Sequence, residues 1–179
     1  VILPIRLQDG KLTGATWPEV RPFYYGDTIR QIERASIRTF METHRAYLKG
    51  RVLDFGCGKQ PYRDLVEGEY IGINEGDLLP EGLFDVVMLN QVSQYLRDPA
   101  GTFKGFARRL RSGGHLVTTW ATNWEEIEDA DLFRFTLSGM RRVLEDAGFE
   151  LKAIARRAEV MVGNFKFVLG YGCIAQKRS

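Results

Sequence analysis

"RVLDFGCGKQPY", residues 51–62, decides how this chain folds. Val52 and Leu53 read as a buried strand, and the run then breaks at Asp54-Phe55-Gly56-Cys57-Gly58, three residues short of Pro61. Two glycines on alternate residues after an apolar run mark a backbone that turns tightly and is approached closely from outside. Asp54-Phe55-Gly56 also spells the metal-binding triplet of protein kinases. That reading fails, because no H-R-D loop or V-A-I-K strand accompanies it and 179 residues are too few for two kinase lobes.

On the N-terminal side, Ile29, Ile32, Ser36, Phe40, His44 and Tyr47 recur at helical spacing. They predict a helix from Asp27, its N-cap, to Leu48, stopped by Lys49-Gly50. Further upstream, Asp9-Gly10 between two apolar runs is a hairpin signal, and Pro4 would confine the first of its strands to a sheet edge. On the C-terminal side, Pro61 predicts a short helix ended by Gly68. "YIGIN" (70–74) and "FDVVMLNQ" (84–91) read as strands. Asp98-Pro99 opens a helix with Phe103, Phe106, Ala107 and Leu110 inward, closed by Gly113-Gly114, and "HLVTTWA" is strand again. After an irregular acidic loop, 122–135, Thr136 caps a helix that Gly148 ends. Two long strand-like runs then flank Gly163-Asn164, a second hairpin signal. Strands alternating with helices predict an α/β fold: an open, mainly parallel Rossmann-like sheet with a C-terminal antiparallel hairpin. The whole chain, 1–179, reads as a single domain, with a hairpin and helix cap over 1–48 and a core over 49–179.

Composition narrows the function classes. With 44% hydrophobic and 27% charged residues the chain is an ordinary globule rather than a disordered segment. Lys+Arg 25 against Asp+Glu 23 leaves no global electrostatic footprint for nucleic acid. Cys57 and Cys173 lie far apart in sequence, which argues against a disulfide or a metal site and for a reducing, cytoplasmic setting. No apolar run is long enough for a membrane span, and the N-terminus lacks the features of a signal peptide. The chain opens on Val1 rather than Met, so a native start further upstream is expected.

In an open α/β sheet, ligands bind outside the carboxyl ends of the strands. A dinucleotide needs G-x-G-x-x-G, so that a helix N-terminus meets the pyrophosphate. Here Pro61 stands where that spacing needs glycine, and Asp54 would repel a phosphate. A cationic or zwitterionic ligand suits the site better.

The stretch resembles the first motif of the class I S-adenosylmethionine-dependent methyltransferases, of the small methyltransferase-11-like kind. "VLDFGCGKQPY", "YIGIN", "FDVVMLNQV", "LRSGGHLV" and "FRFTLSGMRRVLEDAGF" follow in the family's order. The resemblance implies S-adenosyl-L-methionine as cofactor. Asp54 would organise the loop and the methionyl ammonium, while Gly56 and Gly58 let the backbone approach, with Cys57 between them and Tyr62 beyond. Asn74 stands where the family has an acid gripping the ribose, with Glu75 adjacent. Asp77 and Leu78 would flank the adenine, and Asn90, Gln91 and Val92 would line the methionine side. Where relatives commonly carry Glu-His, this chain has Gln94-Tyr95, which removes a familiar general base. Tyr95 is then the catalytic candidate, and Trp120, Asn123 and Trp124 are the candidates for contacting the acceptor. His115 and His44 read as packing residues.

Only nine residues, 75–83, separate "YIGIN" from Phe84, where the family fits a helix and a third strand. A crossover with a helix needs at least about 10–12 residues. The link therefore has to be nearly helix-free, and a sheet trimmed between the second and fourth family strands is expected. The function implied is methyl transfer to a small-molecule or glycan oxygen or nitrogen. The alternative is a catalytically inactive, methyltransferase-like binding or structural subunit of a larger assembly.

Overall fold

The computed structural model describes residues 5–8, 11–13, 25–74, 76–124, 130–162 and 164–178. Its strands are β1 (Ile5–Gln8), β2 (Lys11–Thr13), β3 (Lys49–Phe55), β4 (Glu67–Ile73), β5 (Phe84–Asn90), β6 (Leu110–Ala121), β7 (Phe149–Val162) and β8 (Phe165–Lys177). They form one sheet in the order β2-β1-β7-β8-β6-β5-β3-β4. From β7 to β4 all strands run parallel except β8, which is antiparallel to both neighbours. The expected Rossmann-like sheet with an antiparallel C-terminal hairpin is what forms. β1 and β2 extend it through a parallel pairing of β1 with β7.

Three helices cover the faces: α1 (Tyr25–Thr43), α2 (Pro99–Arg109) and α3 (Leu137–Asp146). α2 and α3 share one face, where Phe103, Phe106, Met140 and Leu144 pack on Leu53, Leu89, Leu116 and Trp120. α1 takes the other, with Ile37, Phe40 and Met41 against Val52, Met88, Val117 and Ile174. The starts of α2 and α3 were legible. The Asp98 carboxylate accepts from Gly101 N at 2.9 Å and the Thr136 hydroxyl from Gly139 N at 3.0 Å, each satisfying an orphan amide of a first turn.

The sheet is trimmed where the link is short. From Ile73 at the end of edge strand β4 the chain reaches Phe84 without a helix or strand among the described residues, and β5 pairs on the far side of β3.

Local details depart from the sequence reading. α1 begins at Tyr25, so Asp27 lies inside its first turn rather than capping it. It ends at Thr43, before the 3-10 turn Arg45–Tyr47. The helix expected after Pro61 shrinks to a 3-10 turn, Arg63–Leu65, because the ladder between β3 and β4 reaches back to Lys49 and Glu67 and claims the residues that would extend it. Gly113-Gly114 does not close α2. Leu110 is already extended, and the glycines fall in an irregular stretch of β6 opposite β5. β1 lies between β2 and β7, so the edge is β2; Pro4 and the Asp9-Gly10 turn fall outside the described residues.

Gly170 on β8 shows how tightly β6, β7 and β8 are laid. A Cβ there would collide with the Trp120 carbonyl oxygen and with Arg157 Nη2, and backbone cannot rotate away. Gly170→Ala should therefore lose about 1–3 kcal/mol of stability, the usual cost of overpacking. Urea unfolding monitored by circular dichroism would show it as a lowered midpoint.

Candidate functional site

The site is built where β3 leaves the sheet. Gly56 N and Cys57 N both donate to the carbonyl of Ile73, at 2.8 and 3.1 Å, so the turn after β3 is clamped to the end of β4. Gly58 N donates to Asn74 Oδ1 at 2.9 Å. Gly56 and Gly58 have φ of +78° and +51°, the left-handed region that favours glycine. They differ in surroundings. A Cβ on Gly56 would run into Val92, whereas one on Gly58 would meet nothing within 4 Å. Gly56 is thus required by packing between the β3 and β5 exits, and Gly58 borders open space.

Asp54, two residues before Gly56, is 2% exposed. It lies opposite Gly72 in the ladder and accepts from the Tyr70 hydroxyl at 2.7 Å. Burial pushes its carboxyl up to about 6, opposed by that hydrogen bond. Tyr70 was not singled out in the sequence. The signal was there: Tyr70 and Gly72 are two apart on the strand opposite Val52 and Asp54, and period-two alternation puts one face in common. Cys57 is buried and its thiol is pushed up, by burial first and then by Asp54, the opposite of an activated nucleophile.

At the end of β4, Asn74 N donates to Asp77 Oδ2 at 2.7 Å and Asp77 N to Asn74 O at 3.1 Å, so Asp77 closes a tight local turn. Leu78 beyond it is 92% exposed. Glu75 lies outside the described residues.

The β5 exit forms the opposite wall. Asn90 Oδ1 accepts from Thr119 Oγ1 at 3.1 Å, while Asn90 Nδ2 is buried without a partner. Gln91 takes φ +57° and donates its N–H to Thr119 O at 2.9 Å. Gln94 bonds back to Gln91 O through Nε2 at 2.9 Å, and its backbone carbonyl accepts from Leu132 N and Phe133 N. Gln94 therefore ties the 130–135 segment to the β5 exit, a role invisible in sequence. Tyr95 ends the 3-10 turn Ser93–Tyr95 and is exposed.

Two expected site residues, Trp120 and Tyr62, lie inside the core instead. Trp120 does not face an acceptor: it is 1% exposed, stacks on Tyr171, and spends its indole N–H on Phe135 O at 3.1 Å. An inward position on a central strand overrides its place near the carboxyl edge. Tyr62 is buried in the layer under α1, its hydroxyl pushed up to about 12, chiefly by burial. Asn123 spends its amide on Val168 O at 2.8 Å, and Trp124 is half-buried. His44 bonds Phe40 O through Nδ1, and His115 meets Tyr47 edge-on toward the other end of the sheet; both are packing residues.

Beside the site, an open groove of about 390 Å³ runs along α2, lined by Phe55, Phe106 and Leu79 with Arg108 and Arg109. Among the described residues no group of His, Cys, Asp and Glu could hold a metal ion, and no helix is long and apolar enough to cross a membrane.

A family model described as a methyltransferase domain matches residues 29–154. The fold is similar to an S-adenosylmethionine-dependent methyltransferase from Mesorhizobium loti (TM-score 0.58, 13% identity, covering 82% of this chain and 98% of that one). It is also similar to magnesium protoporphyrin IX methyltransferase from Synechocystis, solved with bound SAH (TM-score 0.56, 11% identity, 89% and 90% covered). A third likeness is to a Haloferax volcanii complex between the Trm112 methyltransferase activator and a methyltransferase (TM-score 0.58, 16% identity, 86% and 96% covered). At such identities the likeness is one of fold. No curated protein matches the sequence.

Asp54 gives a test that needs no ligand. Its carboxyl binds protons more tightly folded, near 6, than unfolded, near 3.8. Stability from this group is therefore lost as pH rises from about 4 to about 6 and stays lost above. Asp54→Asn should be more stable than wild type at pH 8, by up to about 3 kcal/mol, with the gap closing toward pH 4. Urea titrations of both proteins across that range measure it.

Proposed function

The chain belongs to the methyltransferase-domain family, and from that premise we propose that it uses S-adenosyl-L-methionine to methylate an oxygen or nitrogen of a small molecule or glycan. The carrying observation is the clamped turn at the carboxyl end of β3, with a buried carboxylate behind it and open space in front of Gly58. The residues fit the cofactor on three counts. Asp54 is a desolvated carboxylate with a single hydroxyl partner, suited to an ammonium group. Asn90 Nδ2 is a buried donor without a partner. The space off Gly58 lets a ligand touch backbone.

When bound, the cofactor supplies an electrophilic methyl group on a sulfonium, a good leaving group. The protein's part is orientation and exclusion of water, without a nucleophile of its own. Asp54 orients the methionyl ammonium, with Gly56, Cys57 and Gly58 giving backbone approach. Asn74 and Glu75 serve the ribose, and Asp77 with Leu78 the adenine. Asn90, Gln91 and Val92 line the methionine side. Tyr95, Asn123 and Trp124 face the acceptor, with the 1–48 segment as a cap of the same single domain.

A second reading is favoured by Leu78, Leu79 and Leu83, all exposed on the short link beside the groove along α2. In it the chain is a subunit of a larger assembly whose partner covers them, as exposed apolar clusters often mark interfaces.

Gly58→Val should abolish S-adenosylmethionine binding. At φ +51° the branched residue is strained, costing about 1–2 kcal/mol, but its side chain meets no atom, so the variant should still fold with a lowered unfolding midpoint. Asn74→Asp should tighten binding by about threefold to thirtyfold, the gap between neutral and charge-assisted hydrogen bonds. Isothermal calorimetry reads both. Equal affinity in wild type and a folded Gly58→Val variant would put the site elsewhere. No wild-type binding at millimolar cofactor would leave the subunit reading.

A further inference from the structure

On the α1 side of the sheet, at the height where β6 ends, an ion pair is buried. Arg157 of β7 is 3% exposed and Glu33 of α1 is 5% exposed. Arg157 Nη2 donates to Glu33 Oε1 at 2.9 Å and to the Trp120 carbonyl at 3.0 Å. Nη1 donates to Ser36 Oγ at 3.1 Å, and Nε to the Tyr171 carbonyl at 2.8 Å. The guanidinium thus spans α1, β6 and β8 from β7. Room for it exists because residue 170 is glycine; any side chain there would strike Nη2.

A pair made only for stability would satisfy both carboxylate oxygens, since breaking or under-bonding a buried charge is costly. Glu33 does not. Its Oε2 is buried and has no hydrogen-bond partner. The position is also specific. The Trp120 carbonyl that Arg157 grips is one residue from Thr119, whose hydroxyl and carbonyl hold Asn90 and Gln91 at the β5 exit. Tyr62, buried under α1, is reached electrostatically by all three charges: Arg157 pulls its hydroxyl down, and Asp54 and Glu33 push it up.

We infer that Glu33 is an acceptor-binding and catalytic carboxylate, its Oε2 taking the hydrogen bond of a neutral hydroxyl on the molecule to be methylated, with Arg157 as its positioning residue. This rests on the methyltransferase reading and narrows its acceptor to an O–H group. A buried pair with no net charge favours a neutral donor over an ammonium ion. As the acceptor oxygen forms its bond to the methyl carbon, the carbon–sulfur bond breaks with its electron pair going to sulfur. The hydroxyl proton passes to Glu33 Oε2 and leaves to solvent once the methylated product has departed and water can enter in its place. Glu33 supplies the base that Gln94-Tyr95 lacks.

The test pairs two measurements on the full chain, wild type and Glu33→Gln, the latter keeping size and the Oε1 bond to Arg157. Calorimetry with S-adenosylmethionine reads the underlying function, and transfer of labelled methyl to a phenol, a monosaccharide and an alkyl alcohol reads the inference, with a thiol and a carboxylic acid as contrasts. Expected are cofactor affinities within about twofold of each other, turnover of at least one hydroxyl probe, and a loss of about thirtyfold or more in kcat for Glu33→Gln. Glu33→Asp, which restores a carboxylate, should recover part of that loss. Turnover unchanged in Glu33→Gln would mean that Oε2 faces only a buried water, and would overturn the inference. So would turnover confined to the thiol or the acid, or cofactor binding with no hydroxyl probe methylated. Failure of wild type to bind the cofactor would instead remove the methyltransferase reading, and this inference with it.

Discussion

The carbonyl oxygen of Ile73 receives two amide hydrogens, from Gly56 and Cys57, and the arrangement of the site follows from that fork. A strand end would otherwise leave those donors to water. Sharing one acceptor bends the chain sharply over β4, which only left-handed glycines at 56 and 58 accommodate. The bend leaves Asp54 behind it, inside, with Tyr70 as its hydrogen-bond partner. A carboxylate desolvated in that way lowers stability at neutral pH. Its retention behind a turn with open space in front makes sense as a charge kept for a ligand rather than for the fold.

The trimmed link has consequences of its own. Among the described residues no helix lies between Ile73 and Phe84, β4 ends the sheet, and a groove floored by Phe55 and Phe106 runs along α2. The Arg51 guanidinium ties the link to the sheet, lying over the Phe84 ring, pairing with Glu69 and donating to the Glu81 carbonyl. The opposite face is covered by α1. There α1 is fixed to the sheet by the Arg157 node and to the 3-10 turn after Pro61 by Arg38, which pairs with Asp64. The protein is therefore asymmetric: firmly capped on the α1 face and open on the α2 face.

Much of this was legible from residue order. Apolar runs of the right length located every strand of the core, and Asp98 and Thr136 announced their helices, because both depend on local chemistry. The count of residues between Asn74 and Phe84 foretold the trimmed sheet, since chain reach is a covalent limit. What escaped the sequence was set by pairing across distance. The β3–β4 ladder extended past Gly50 and Gly68 and suppressed the helix after Pro61. Trp120 turned inward because its strand is central, and Gln94 acquired its role only when the 130–135 segment came back to it. Glu33 and Arg157, 124 positions apart, carry no motif that could have joined them.

The account stands on Asp54 meeting a cation when ionised. The most direct measurement is the calorimetric affinity of wild-type protein for S-adenosylmethionine at pH 7 and at pH 5, with Asp54→Asn alongside. With its carboxyl near 6 in the free protein, wild type should bind about tenfold more weakly at pH 5 than at pH 7, and Asp54→Asn should bind weakly at both. An affinity that is the same at both pH values, or that survives Asp54→Asn undiminished, would contradict it.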